Sequence, residues 1–227
     1  MRLTIVFAAA MCALSLASGR SLAAIIPPIG LAPGQQYQLI FVTYDSIAGT
    51  MGTEAPYNLF VNAEAAQNPD LPSTTWSSIT TTVDGVTAES NAPWLGLPVY
   101  NTQGIQVNIE GQSLYSGTLA NPVLYDQFGN AYPGPDTEYA YTGYGNDPVN
   151  SAPLGSPAGA SDGIPSFTST YWLDAGAITT PEIPLPIMAL SGAITVAAPE
   201  PDGLLLAGLA VAGFFAWRRS LPCRPCG

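Results

Sequence analysis

Carboxylates are the only charged side chains between Leu22 and Trp217. The chain has no Lys and no His, and Arg2, Arg20, Arg218, Arg219 and Arg224 are confined to its two ends. That inventory decides which chemistry is open. Without His there is no imidazole base and no common zinc ligand; without Lys there is no Schiff base; without a central Arg there is no phosphate clamp. Nucleic-acid binding is excluded on the same ground, because it depends on cations that neutralise phosphates. What remains is oxygen chemistry. Asp126-Gln-Phe-Gly-Asn130 and Asp136-Thr-Glu138 bring oxygen ligands close together, as calcium loops do, without matching an EF-hand; a turn with solvated carboxylates explains them equally. Two carboxyl groups about 5 to 10 Å apart across a sugar cleft would make a glycosidase acid/base pair. The acids here are thinly spread, and no nucleophile motif accompanies them. Tyr132, Tyr139, Tyr141 and Tyr144 either stack on sugars or fill a core. The expectation is a protein that is not an enzyme, with no catalytic residue, no metal site and no cofactor, calcium being the one alternative ion.

The elements that must hold these residues read as follows. Ala32-Pro33-Gly34 is turn chemistry, and Tyr37 to Tyr44 is β-branched, aromatic and apolar on both faces, which predicts a buried strand. Pro56 suits a first helical turn; Tyr57, Phe60, Val61 and Ala65 then share one face until Asn68-Pro69 ends the helix. Trp76 to Val83 is β-prone, and Leu97 to Asn101 is a short strand. Gln103-Gly104 turns the chain into Ile105, Val107 and Ile109, whose alternation predicts a hairpin. From Asn130 to about Phe167 the chain is rich in Gly, Pro, Ser and Asp, an expected long loop and binding surface. Ile187 to Val196 supplies a closing strand.

With 227 residues and 47% hydrophobic content the chain can bury a real core in one domain plus appendages. The three Cys, Cys12, Cys223 and Cys226, lie outside that domain, so it has no disulfide. Met1-Arg2, the apolar run Leu3 to Leu16 and the small residues Ser21, Ala23 and Ala24 have the order of a secretion signal, cut by signal peptidase after Ala23 or Ala24. At the other end Pro199-Glu200-Pro201 leads into the apolar stretch Gly203 to Trp217, closed at once by Arg218-Arg219. Fifteen residues at about 1.5 Å rise fall short of a ~30 Å hydrocarbon core, so this is a marginal span whose arginines stay cytoplasmic. The expected division is a signal peptide at 1–23, an extracellular domain at 24–197, a sorting segment at 198–219 with a transmembrane helix at 203–217, and a short cytoplasmic tail at 220–227.

The arrangement of motif, apolar segment and basic stop resembles the PEP-CTERM sorting domain. That resemblance implies an exosortase as processing partner, an inner-membrane anchor before processing, and delivery to the cell surface or an exopolysaccharide matrix. The terminal Cys223-Arg-Pro-Cys226 departs from the pattern and is CxxC in form only. In the middle, the succession of one strand, one helix, then short strands and long loops predicts an α+β fold, with a mostly-β sandwich as the alternative. The order Trp76-Ser-Ser-Ile, Leu97-Pro-Val-Tyr-Asn, Leu114-Tyr-Ser-Gly117, Tyr141-Thr-Gly143, Leu154-Gly155 and Trp172 is similar to endostatin, a C-type-lectin-like domain. The heparin-binding arginines and zinc-binding histidines of that family have no counterparts here, so no function follows from the likeness. Three functions compete: a non-catalytic surface or matrix protein, a secreted carboxylate hydrolase, and a calcium-dependent adhesin or lectin.

Overall fold

The computed structural model describes residues 25–26, 28–132, 139–145 and 152–198. Its central element is β1 (Gln36–Val42), in which every residue after Gln36 is buried. The strand period of two sends Tyr37, Leu39 and Phe41 into one apolar cluster and Ile40 and Val42 into another on the opposite face. The continuous apolar run in the sequence therefore marks a strand covered on both sides. One turn later α1 (Ala55–Ala66) begins with Pro in its first positions. It packs Tyr57, Val61 and Ala65, spaced four apart, into the first cluster. There Phe41 and Trp76 meet edge to face with ring centroids 4.8 Å apart.

β2 (Trp76–Ser78), β3 (Val99–Asn101), β7 (Met188–Ser191) and β8 (Ile194–Thr195) complete the main sheet, in the order β2-β7-β1-β3 with β8 also on β1. β1 runs parallel to β3 and antiparallel to β7. The predicted closing strand is broken: Leu190 pairs with Ile40, yet Ile194 pairs with Tyr37. Between these pairs three residues, Ser191, Gly192 and Ala193, oppose two, Gln38 and Leu39, which places a bulge at Gly192-Ala193. The predicted hairpin after β3 forms, with the Val107 amide donating to the Val99 carbonyl at 2.7 Å. A short helix, α2 (Ala88–Asn91), is closed by a capping box between Thr87 and Ser90.

β2 is a sheet edge, and α1 covers it with side-chain amides. The Asn62 Nδ2 donates to the Trp76 carbonyl at 2.6 Å, and the Asn62 Oδ1 accepts from the Trp76 amide at 3.1 Å. One turn earlier the Asn58 Oδ1 accepts from the Ser78 amide at 2.8 Å. Two asparagines four apart on a helix therefore stand in for a neighbouring strand.

The expected long loop from Asn130 to Phe167 needs correcting. It contributes β4 (Ala140–Tyr141) and β5 (Ala160–Gly163), which with β6 (Ile178–Thr179) form a second antiparallel sheet. Ala140, Tyr141, Leu154 and Ala160 within it are fully buried. Glycine allows this close approach. Gly143 has φ +58°, and a Cβ there would sit 2.2 Å from the Thr81 carbonyl oxygen; Gly155 has φ +83°, and its Cβ would sit 2.4 Å from the Gly52 Cα. The described fold is mixed α and β, as the sequence predicts at that level.

Candidate functional site

The carboxylates and tyrosines singled out by the sequence go to different places. Asp126 is 3% exposed, not solvated. Its Oδ1 accepts from the Phe128 and Asn130 amides, both at 2.8 Å, and its Oδ2 from the Asn130 side chain at 3.2 Å. The turn itself consumes this carboxylate. Asp136 and Glu138 lie outside the described residues. Among the described residues no group of three His, Cys, Asp or Glu side chains is placed to hold a metal ion. Tyr141 is not a surface residue: it is buried, and its hydroxyl donates toward the Ile183 carbonyl at 2.7 Å and the Thr180 carbonyl at 3.0 Å. Tyr132 and Tyr144 pack half-buried against the second apolar cluster, and Tyr139 is exposed.

Two carboxyl groups that the sequence did not distinguish are sealed in the interior. Glu64 of α1 accepts from the Asp45 amide, from Gln127 and from Gln67, at 3.0, 2.8 and 2.5 Å, so both its oxygens are bonded. Burial still holds its pKa above the usual carboxylate range. Asp162 of β5 is 1% exposed. Its Oδ2 accepts from the Thr179 hydroxyl at 2.6 Å, while its Oδ1 has no partner. Burial raises its pKa to about 6, with Asp174 adding repulsion.

A groove of about 520 Å³ lies on the hairpin that follows β3. Tyr100 opposes Gln106 across that hairpin, so alternate residues Pro98, Tyr100, Gln106, Asn108 and Glu110 share a face and form the floor. Leu31, Gln35, Trp94 and Leu97 complete its walls, and Trp94 also packs partly against the second apolar cluster. The wall and floor are held rigidly. Buried Gln38 donates to the Pro93 carbonyl at 3.2 Å and accepts from the Leu95 amide at 2.9 Å, tying the Trp94 loop to β1. The Trp94 indole N–H donates to the Leu97 carbonyl at 2.7 Å. Asn108 accepts from the Val99 amide at 2.8 Å and donates to the Ile109 and Gln112 carbonyls, fixing the turn that carries Glu110. Burial and the nearby Glu110 carboxylate together raise the Tyr100 pKa. No signal in the sequence marked this groove, because its residues come from three separated segments.

Both ends of the fold are anchored. Ile25 packs against the first apolar cluster, and the Ile26 amide donates to the Thr102 carbonyl at 3.0 Å. At the other end Val196 donates to the Gln35 carbonyl at 2.8 Å and accepts from the Gly34 amide at 2.9 Å. Val196 is the last residue of the described chain with backbone pairing of this kind, and Ala197 and Ala198 are exposed. Pro199, Glu200, Pro201, Arg218, Arg219, the span 203–217, and Ser21, Ala23 and Ala24 all lie outside the described residues. Among the described residues no helix is long and apolar enough to cross a membrane.

Residues 197–220 match the PEP-CTERM protein-sorting motif. No curated protein matches the chain. The chain thus carries a PEP-CTERM sorting signal, the mark of an exosortase substrate that is exported across the membrane and sorted to the cell surface. The match begins at the residue after Val196, where the backbone pairing of the fold ends.

Proposed function

We propose that this chain is a non-catalytic surface protein, processed by an exosortase at Pro199-Glu200-Pro201 and displayed in the extracellular polysaccharide matrix as the domain spanning 25–198. The observation that carries this reading is the junction at Val196. A domain whose described strands pair among themselves passes directly into the sorting motif, so the pairing of Val196 with Gly34 and Gln35 lies wholly on the domain side of the junction. The apolar stretch Gly203 to Trp217 serves as a temporary anchor with Arg218 and Arg219 on the cytoplasmic side. The chain before Ile25 is a signal peptide cut after Ala23 or Ala24.

The domain itself is read as C-type-lectin-like. In support, Gly143 and Gly155 of the quoted motifs sit at positive φ with no room for a Cβ, and Trp172 is fully buried. The inventory of ionisable side chains, which lacks Lys and His, and the burial of Glu64 and Asp162 support a non-catalytic role. The test is fractionation of an exosortase-bearing host and the same host with the exosortase gene deleted. The domain is expected at the surface or in the matrix of the first, and in the membrane fraction with its full tail in the second. An identical distribution in both would overturn the reading.

A further inference from the structure

The groove between Trp94 and the hairpin of β3 is built and rigid, and the activity proposed above does not use it. We propose that it binds an uncharged hexopyranose polymer, with Trp94 as the stacking platform and Gln106, Tyr100 and Glu110 as the polar contacts; this deepens the matrix reading and rests on it for its biological setting.

Three observations carry the proposal. The first is preorganisation. The Trp94 loop is tied to β1 by Gln38, its indole is tied to the Leu97 carbonyl, and Asn108 holds the floor. A ligand therefore meets a formed surface and does not have to order a loop. The second is the pairing of an aromatic wall with unspent polar groups. A pyranose ring offers an apolar C–H face to an aromatic ring and hydroxyls around its rim. The Gln106 Oε1, the Tyr100 hydroxyl and the Glu110 carboxylate make no hydrogen bond among the described residues, while both polar atoms of the Asn108 side chain are spent inside the fold. The third is charge. No Lys, Arg or His lies anywhere between residues 25 and 198, and the one charged group at the groove is the Glu110 carboxylate. An anionic polymer would meet only like charge, so the groove selects an uncharged one. At about 520 Å³ it falls within the usual range of small-molecule sites, room for a short stretch of chain and not for a protein surface.

The experiment uses the released protein in affinity electrophoresis through gels containing dextran, yeast mannan, hydroxyethyl cellulose or alginate, with EDTA present. Retardation by at least one of the three neutral polymers is expected, unchanged between low and high salt, with none in alginate. Trp94→Ala is expected to weaken that retardation at least tenfold. Gln106→Ala, half-exposed and without a role in the core, is expected to weaken it severalfold with the thermal midpoint unchanged. Absence of retardation in all three neutral gels would overturn the proposal, as would retardation that both variants retain in full. These outcomes are separable from the sorting reading: a protein that reaches the matrix through its tail yet shows no groove-dependent binding refutes the groove alone.

Discussion

Asp162 gives the fold a pH dependence whose sign and size follow from its surroundings. Its pKa rises from 3.8 to about 6 because the carboxyl is buried, with only Thr179 bonded to it. The folded state then holds a proton that the unfolded chain releases near pH 4. The contribution is fully present below the unfolded value and is lost as pH rises through about 6. A difference of about two pH units corresponds to at most about 3 kcal/mol, a large share of the stability of a domain this size. Asp162→Asn keeps the acceptor for Thr179 and removes the charge. Its new buried N–H costs the same at every pH and so leaves the slope untouched. The assay is urea denaturation of the released protein from pH 4 to 8, wild type against D162N. The difference in unfolding free energy should shift by about 2 kcal/mol in favour of the variant between pH 4.5 and 7.5, the first third of the full effect being already lost by pH 4.5. Glu64, also raised by burial, cancels in that difference. Parallel curves across this range would show that Asp162 does not carry this pH dependence.

Two further pairs of substitutions probe the packing of the fold away from the groove. Asn62→Ala leaves the amide and carbonyl of Trp76 without their partners, which should cost on the order of 2 to 4 kcal/mol in urea denaturation; Asn62→Asp keeps the acceptor but sets a carboxylate oxygen against the Trp76 and Asn58 carbonyl oxygens, and should cost no less. Gly143→Ala forces a Cβ to within 2.2 Å of the Thr81 carbonyl at positive φ. It should destabilise the domain by more than about 2 kcal/mol or abolish secretion of folded protein, whereas Gly85→Ala, at φ +93° with open space around it, should cost about 1 kcal/mol.

What the sequence made legible follows the strength of its periodicity. β1 and α1 were readable because Tyr37 to Tyr44 and Tyr57 to Ala65 carry unambiguous apolar patterns, and the sorting tail because its three parts come in a fixed order over a short stretch. β5 was not. Its residues Ala-Ser-Asp-Gly have the composition of a turn, yet all four are buried between β4 and β6. Small residues fit there because a Cβ at Gly163 would lie 2.2 Å from the Trp172 carbonyl oxygen, a requirement set by a segment distant in sequence. Asp126 was recognisable as a turn residue, but its burial depends on contacts the local sequence does not show. The groove was invisible for the same reason: Leu31, Trp94 and Gln106 come together only once β1 and β3 pair in parallel.

On the function proposed above, the tail is a processing signal and not a generic anchor. The direct measurement is the mass of cell-associated and released protein, in a host with a matching exosortase, for wild type and for the variant with Pro199, Glu200 and Pro201 all replaced by Ala. Both should insert, because insertion depends on Gly203 to Trp217 and the two arginines. The wild type should appear at the surface or in the medium at a mass lacking the tail, and the variant should stay cell-associated at full tail length. Equal processing and release of the two proteins would contradict the account.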